Sequence, residues 1–293
     1  MFYQSITTYN LAKQNVSKEI LDNVNFAIQK NEQFFESKGQ LISDLKKLSG
    51  ILNYTILNCW ILLKQKSDSN VFKTFDQWKN KGFKIKKGSK AFYILGYKDA
   101  SFIMIDDEKT HKIVEWKNAT DQQKRMVMEG DYEVIKKKIV APIPVFGDKQ
   151  IEFKKELENS KKSVNLRSFL LKTLKDMSIS VLIIENSKDE VIFDESKNTL
   201  VVKYQNPNNI DFMILKMLSK LILKQDDGNL LEQLLNFESE IITFLIFENL
   251  NRNDYVYSFD DYQILAKNLS NEQKEDLLNK TMYIAKNILE NIQ

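Results

Sequence analysis

Between Asp76 and Asp99 the chain carries no acidic residue, and Lys79, Lys81, Lys84, Lys86, Lys87, Lys90 and Lys98 fall inside that interval. Phe75, Trp78, Phe83, Phe92, Tyr93 and Tyr97 are interleaved with them. Single-stranded nucleic acid is held by this combination: ammonium groups neutralise phosphates, and aromatic faces stack unpaired bases at about 1–3 kcal/mol each. The residues that would carry that chemistry are Lys84, Lys86, Lys87 and Lys90 on phosphates, with Trp78, Tyr54 or Tyr93 as stacking surfaces. A second interpretation stays open at this point. A lysine-rich hairpin can be a solvated edge that prevents sheet aggregation, with its alternating aromatics turned into the core.

Metal chemistry is limited by composition. The chain has one histidine, His111, so no two-histidine metal site can be assembled from it. Flanked by Thr110 and Lys112 near an expected turn, His111 reads as a surface residue. The single cysteine, Cys59, lies in an apolar run with nothing nearby to stabilise a thiolate, and reads as a packing residue. It also excludes an intramolecular disulfide, which suits a reducing compartment. No phosphate-binding glycine loop, nucleophile elbow or nuclease-like carboxylate cluster is visible. The acidic runs Asp106-Asp107-Glu108 and Asp226-Asp227 are explained by solvated loops. Catalysis is not expected, and neither is a cofactor or a bound metal.

The elements that must position the basic segment follow from periodicity. Leu21, Val24, Ala27 and Ile28 recur at helical spacing, as do Phe34, Phe35, Leu41, Ile42, Leu45 and Leu48. Asn53 is expected to cap a helix to about residue 66, with Cys59 and Trp60 on its packing side and Asn58 as either a satisfied buried amide or a ligand contact. Thr74 and Gln77 have capping-box spacing. The period then changes to two, predicting strands near 83–87, 91–98, 101–106 and 112–117. A helix is expected at 120–129, and Pro142 and Pro144 force an extended segment over 140–146. The lysine-, glutamate- and serine-rich stretch 148–164 is the best linker. Beyond it lie a helix at 165–177, a buried strand at 179–184, strands at 191–193 and 199–204, helices at 211–224 and 230–250, and a last helix capped by Ser270 and Gln273.

Composition bounds the rest. With 43% hydrophobic and 28% charged residues over 293 positions, the chain has core enough for two ordinary domains and no long disordered tract. Lys and Arg number 43 against 40 Asp and Glu, so any nucleic-acid footprint must be local. The N-terminal residues do not look like a signal peptide, and the apolar runs 56–63 and 241–247 are too short to span a bilayer. No membrane partner and a cytoplasmic location are the expectations.

The pattern Asn53-Tyr54-Thr55-x-x-Asn58, then Gln65, then Phe72-x-Thr74-x-x-x-Trp78-x-x-x-Gly82-x-x-Ile85-x-Lys87-Gly88-x-Lys90 resembles the N-terminal domain of ArdC-type antirestriction proteins and the related LtrC-like plasmid proteins. Val145-Phe146-Gly147-Asp148-Lys149-Gln150 is similar to the segment that closes that domain, and the likeness is spread over residues 40–150. It departs at Ser89 and Ala91, where the family commonly has Glu and Gly. The resemblance implies single-stranded DNA binding in plasmid or phage proteins that protect incoming DNA from restriction, with Tyr54, Asn58, Trp78 and Tyr93 beside the four lysines. It also implies a second, zincin-like metallopeptidase domain. There the family's His-Glu-x-x-His helix would fall on Lys216, Met217 and Lys220, and its third-ligand segment on Glu238 and Glu240. Tyr257-Ser258-Phe259-Asp260-Asp261-Tyr262 resembles a downstream family motif. Two ammonium groups where imidazoles would sit repel a dication, and Glu238 and Glu240 are expected to pair with Lys216 and Lys220.

The expected fold is therefore α+β in two domains. Residues 1–150 form a helical region with a small antiparallel sheet that binds single-stranded DNA, and residues 165–293 form a zincin-like α+β domain lacking the metal motif. The leading function is a non-enzymatic single-strand binder of a plasmid, conjugative element or phage, acting in antirestriction or DNA transfer. The alternative is an inhibitor that binds a host defence protein or nucleoprotein complex through the former peptidase surface.

Overall fold

A computed structural model describes residues 18–65, 69–107, 110–152, 165–226, 231–252, 255, 257–259, 262 and 268–292. Among the described residues three helices come first: α1 (Lys18–Gln33), α2 (Lys38–Ser49) and α3 (Ile56–Lys64). Thr55, not Asn53, caps α3, because its hydroxyl accepts from Asn58 N. The next elements are β1 (Phe72–Lys73), the short α4 (Phe75–Asn80), β2 (Lys84–Ile85), β3 (Phe92–Asp107), β4 (Thr110–Glu115), α5 (Asp121–Glu129), β5 (Glu133–Gly147) and β6 (Ile151–Glu152). Both Thr74–Gln77 and Thr120–Gln123 form capping boxes, starting α4 and α5.

The main sheet has the order β1-β5-β3-β4 and is antiparallel throughout. The strands expected at 91–98 and 101–106 are one strand, β3. Asp99, Ala100 and Ser101 do not interrupt it, since they stay in register with Lys138, Lys137 and Lys136 of β5. That lysine run had no strand assigned to it from the sequence, because its polar residues mask the alternation.

Four residues fix this register. Tyr93 lies opposite Pro144 and Leu95 opposite Pro142. Neither proline can donate a ladder hydrogen bond, so these pairs must be the ones whose backbone groups point away from each other. The outward groups of β3 are taken up by amides of α3. Asn58 accepts from Leu95 N at 2.8 Å and donates to Leu95 O at 2.9 Å. Gln65, two helical turns on, accepts from Tyr93 N at 2.9 Å and donates to Tyr93 O at 2.8 Å. Two side-chain amides thus stand in for a missing strand.

After residue 164 come α6 (Leu166–Asp176), the strands β7 (Ser180–Glu185), β8 (Glu190–Asp194) and β9 (Thr199–Tyr204), then α7 (Ile210–Asp226), α8 (Glu232–Asn249) and α9 (Asn271–Ile292). Their sheet has the order β7-β9-β8, with β7 parallel and β8 antiparallel to β9. Leu200 and Val202 of β9 are buried against the helices. The buried strand expected at 179–184 is instead an exposed edge: Leu182 is 50% and Ile184 41% exposed. An apolar run reads as buried by default, but here only its start is covered: Ile179 is buried and Val181 packs against the core, while Leu182 and Ile184 face outward. Ser270 and Gln273 cap α9 as expected.

The α+β class is borne out. The linker expected over 148–164 begins later than its composition suggested. Asp148 N donates to Val71 O, and β6 pairs with β2. Residues 153–164 lie outside the described residues, as do Glu108, Asp227, Asp260 and Asp261. The helices on either side of that gap share one hydrophobic core. Asn279 of α9 accepts from Ile56 N at 2.7 Å, and Asn249 of α8 donates to Ser49 O at 2.8 Å. Asp211, 7% exposed, receives Arg167 Nε at 2.6 Å and an Arg252 guanidinium nitrogen at 2.8 Å, joining α6, α7 and the segment after α8.

Candidate nucleic-acid interface

The four lysines singled out by sequence sit on β2 and the hairpin-like turn after it. The strand that pairs with β2 is the distant β6, not β3, so the expected lysine-rich β-hairpin is a turn bracketed from elsewhere in the chain. Lys84 and Ile85 pair with Glu152 and Ile151. Lys86 N donates to Gln150 O at 2.8 Å, and Ser89 N closes the turn on Lys86 O at 3.1 Å. Gly88 has φ of 85° and Gly82 of 80°, a left-handed conformation that a side chain would strain, so the chain can reverse direction at both ends of β2. Gln150 holds the hairpin to the main sheet. Its amide donates to Lys90 O at 2.7 Å and accepts from Gly147 N at 2.9 Å. Sequence reading quoted Gln150 only within a motif and gave it no task.

All four lysines are exposed. Lys86 Nζ donates to Lys149 O at 2.9 Å. Lys84, Lys87 and Lys90 form no ion pair among the described residues. Nearby, Lys73 lies over the Trp78 ring at 5.8 Å. Burial first, and then the charges of Lys81 and Lys286, hold the Lys73 ammonium below the usual lysine range. The hairpin and its surroundings thus present cations that the protein itself leaves largely uncompensated.

The aromatic candidates divide. Trp78 is buried, its indole donates to Phe146 O at 2.8 Å, and Phe83 meets it edge-on at 5.5 Å. It anchors α4 to β5 and offers no face for a base. Tyr54 is half-buried with its hydroxyl on Phe72 O and its ring against Phe72, and burial pushes that hydroxyl above the usual tyrosine range. Asn58 has both ends of its amide on Leu95, so it is the satisfied buried amide of the two alternatives. Tyr93 alone of this group is open, at 46% exposure. Cys59 is buried with its thiol 3.3 Å from Ile51 O, and burial raises its pKa well above the usual thiol range. Trp60 is buried with its indole on Asn31 at 2.6 Å. His111 pairs with Asp106 in the β3–β4 ladder, and its side chain lies outside the described residues.

The second constellation is on α7 and α8. Lys216 Nζ lies 3.8 Å from Glu240 Oε2, as expected. Glu240 Oε1 also accepts from Ser258 N at 2.8 Å. The other expected pairings do not occur. Lys220 reaches Glu232 at 3.4 Å, and Glu238 meets Lys280 of α9 at 3.2 Å. The reason is geometric: Glu238 and Glu240 are two residues apart on one helix and cannot face the same neighbour. These side chains do not fit a metal. Two of the positions are ammonium groups, Met217 supplies only a thioether, and the carboxylate nearest Lys216 is already neutralised. Among the described residues no group of three or more His, Cys, Asp or Glu is placed to hold an ion.

A family model for the N-terminal domain of anti-restriction factor ArdC matches residues 12–141. Over those residues the chain is similar to an ArdC-type N-terminal domain. The match takes in α3 with its two amides, the basic turn, and the β3–β5 pairing as far as Ala141. Beyond it lie Gly147 and Gln150, so the bracket that fastens the hairpin to this ArdC-type domain is supplied by the residues just after the match. Two solved structures of the antirestriction ArdC protein from plasmid R388 are similar to the chain at 13% identity. The metal-free form covers 81% of this chain and 84% of its own with a TM-score of 0.42, and the Mn(II)-bound form covers 81% and 83% with a TM-score of 0.43. No curated protein matches. No helix among the described residues is long and apolar enough to cross a membrane.

Proposed function

We propose that the chain is a non-enzymatic single-stranded-DNA-binding protein of a mobile element, such as a plasmid, conjugative element or phage, acting in antirestriction or DNA transfer. The observation that carries this reading is the braced hairpin, whose Lys84, Lys87 and Lys90 are exposed and without ion pairs among the described residues. A pairing of only two residues per strand, β2 with β6, would be loose without the Gln150 bracket, which holds the lysine-bearing turn in place. The ArdC-type domain supports the antirestriction setting. The part after residue 165 acts on this reading as a scaffold of zincin-like descent, with Lys216–Glu240 in place of metal chemistry. The test is a fluorescence-anisotropy titration with a labelled oligo(dT) and unlabelled single- and double-stranded competitors. Replacing Lys84, Lys86, Lys87 and Lys90 together with Glu is expected to abolish binding, and unchanged affinity would end the proposal.

One observation favours a second reading, that of a protein-binding inhibitor of a host defence complex. Leu182 of β7 and Ile192 of β8 both lie opposite Val201 of β9, which makes an apolar row across the outer sheet face. Both are exposed, at 50% and 42%. Exposed apolar patches mark protein contacts. Co-purification from a host lysate with and without nuclease separates the readings, since a partner retained after nuclease treatment supports the second.

A further inference from the structure

We propose that the ribbon of β3 and β5 forms a second contact for the nucleic-acid chain, in which Tyr93 and Tyr97 stack bases and Lys136 and Lys138 hold the phosphates that follow. This rests on the single-strand-binding reading and extends it beyond the hairpin. The two strands pair without a bulge from Phe92–Val145 to Met104–Glu133, so residues directly opposite share a face. Tyr93, Tyr97, Lys138 (opposite Asp99) and Lys136 (opposite Ser101) therefore stand in one row.

The tyrosines have none of the usual reasons to be there. Tyr97 is 60% and Tyr93 46% exposed, and neither hydroxyl has a hydrogen-bond partner among the described residues. A sheet tyrosine ordinarily buries its ring or ties down its hydroxyl. Two open rings four residues apart are separated by about 13 Å of strand with Leu95 buried between them, so they suit unstacked bases that are not immediate neighbours in the nucleic-acid chain. Lys136 and Lys138 are exposed and lack ion pairs among the described residues. A competing explanation is that these lysines guard an edge, because β1 covers β5 only at Phe146 and Gly147. Edge guarding accounts for the lysines but leaves the open tyrosines without a reason.

The row also continues the hairpin. Lys90, whose carbonyl Gln150 holds, is two residues before β3 begins. From Tyr93 to Ser101 the strand runs about 27 Å, equal to at most about eight nucleotides at the stacked 3.4 Å spacing. An oligonucleotide long enough to cover both regions should sense the ribbon, and a very short one should not.

The experiment titrates fluorescein-labelled dT6 and dT18 with the full chain, with Tyr97→Ala, with Tyr97→Phe, and with Lys136→Glu/Lys138→Glu. Thermal melts establish that each variant is folded, as expected for exposed positions. Tyr97→Ala is expected to weaken dT18 between about fivefold and about 150-fold while Tyr97→Phe stays near the parent, the range following from one stacked base. The double lysine variant is expected to weaken dT18 and flatten its salt dependence, with dT6 affinity little changed in every case. If the parent binds dT18 and these variants match it, the ribbon contact is overturned while the hairpin reading stands. If the parent fails to bind dT18 at all, both fall together.

Discussion

Replacing Asn58 with Leu separates a structural from a ligand-binding role at the one polar residue buried in the middle of α3. The Asn58 amide is 9% exposed and makes both hydrogen bonds to Leu95, at 2.8 and 2.9 Å. Leucine has nearly the same volume, so little cavity is created and packing changes are small. What remains is a backbone N–H and C=O without partners on a strand face that β5 cannot reach, since Pro142 lies opposite. An unsatisfied buried group costs about 1–3 kcal/mol, so the pair should cost about 2–6 kcal/mol. Against a typical domain stability of about 5–15 kcal/mol that is a large fraction. Urea unfolding followed by circular dichroism gives the total, and amide exchange at Leu95 locates it. If Asn58→Leu loses less than about 1 kcal/mol while oligonucleotide affinity of the folded protein collapses, Asn58 is a ligand contact and the strand-clamp account is wrong.

Other outcomes follow from the same geometry. Gln150→Ala removes the bracket on Lys90 O and Gly147 N, and should loosen the hairpin at a cost of about 1–2 kcal/mol while lowering DNA affinity; chemical shifts of Lys84–Lys90 report it. Asp211→Ala leaves Arg167 and Arg252 without their shared carboxylate and should cost about 1.5–3 kcal/mol in urea unfolding. Burial raises the Cys59 pKa in the folded state, so the unfolded thiol loses its proton first. Stability is then full below the ordinary thiol value of 9.0 and falls as pH rises above it, by at most about 1.4 kcal/mol per pH unit from this group. Cys59→Ala should remove that slope in denaturation curves between about pH 9 and 10, the interval just above the unperturbed thiol range. Ile184→Lys, on the exposed outer sheet face, should change stability by no more than about 0.5 kcal/mol and improve solubility, as seen by light scattering.

Much of the fold was legible because local signals are physical. Capping boxes at Thr74–Gln77 and Ser270–Gln273 name helix starts, and the two prolines of 142–144 demand extended chain. Lys136–Lys138 defeated the alternation rule, because three consecutive solvated residues within a strand show no apolar period. The buried strand expected at 179–184 failed in the opposite sense: an apolar run says nothing of which face will be covered. At the site, the lysines were found from charge alone. The aromatics were not sorted correctly, since sequence cannot tell Trp78, whose indole is committed to Phe146 O, from Tyr93 and Tyr97, which are open. Gln65 was quoted only within a motif, and Asn58 was left open between a satisfied amide and a ligand contact. Their task depends on Leu95 and Tyr93 meeting them across 37 and 28 residues of chain, a pairing no local pattern encodes.

The account's central claim is that the hairpin lysines bind the backbone of single-stranded DNA, and the salt dependence of oligo(dT) affinity tests it most directly. Four phosphate contacts on a single strand predict a slope of log K against log salt near about −2.8. Replacing Lys84, Lys86, Lys87 and Lys90 with Glu should remove both the affinity and that slope. A parent protein whose affinity does not change between low and high salt, or a quadruple variant with the parent's slope, would contradict it.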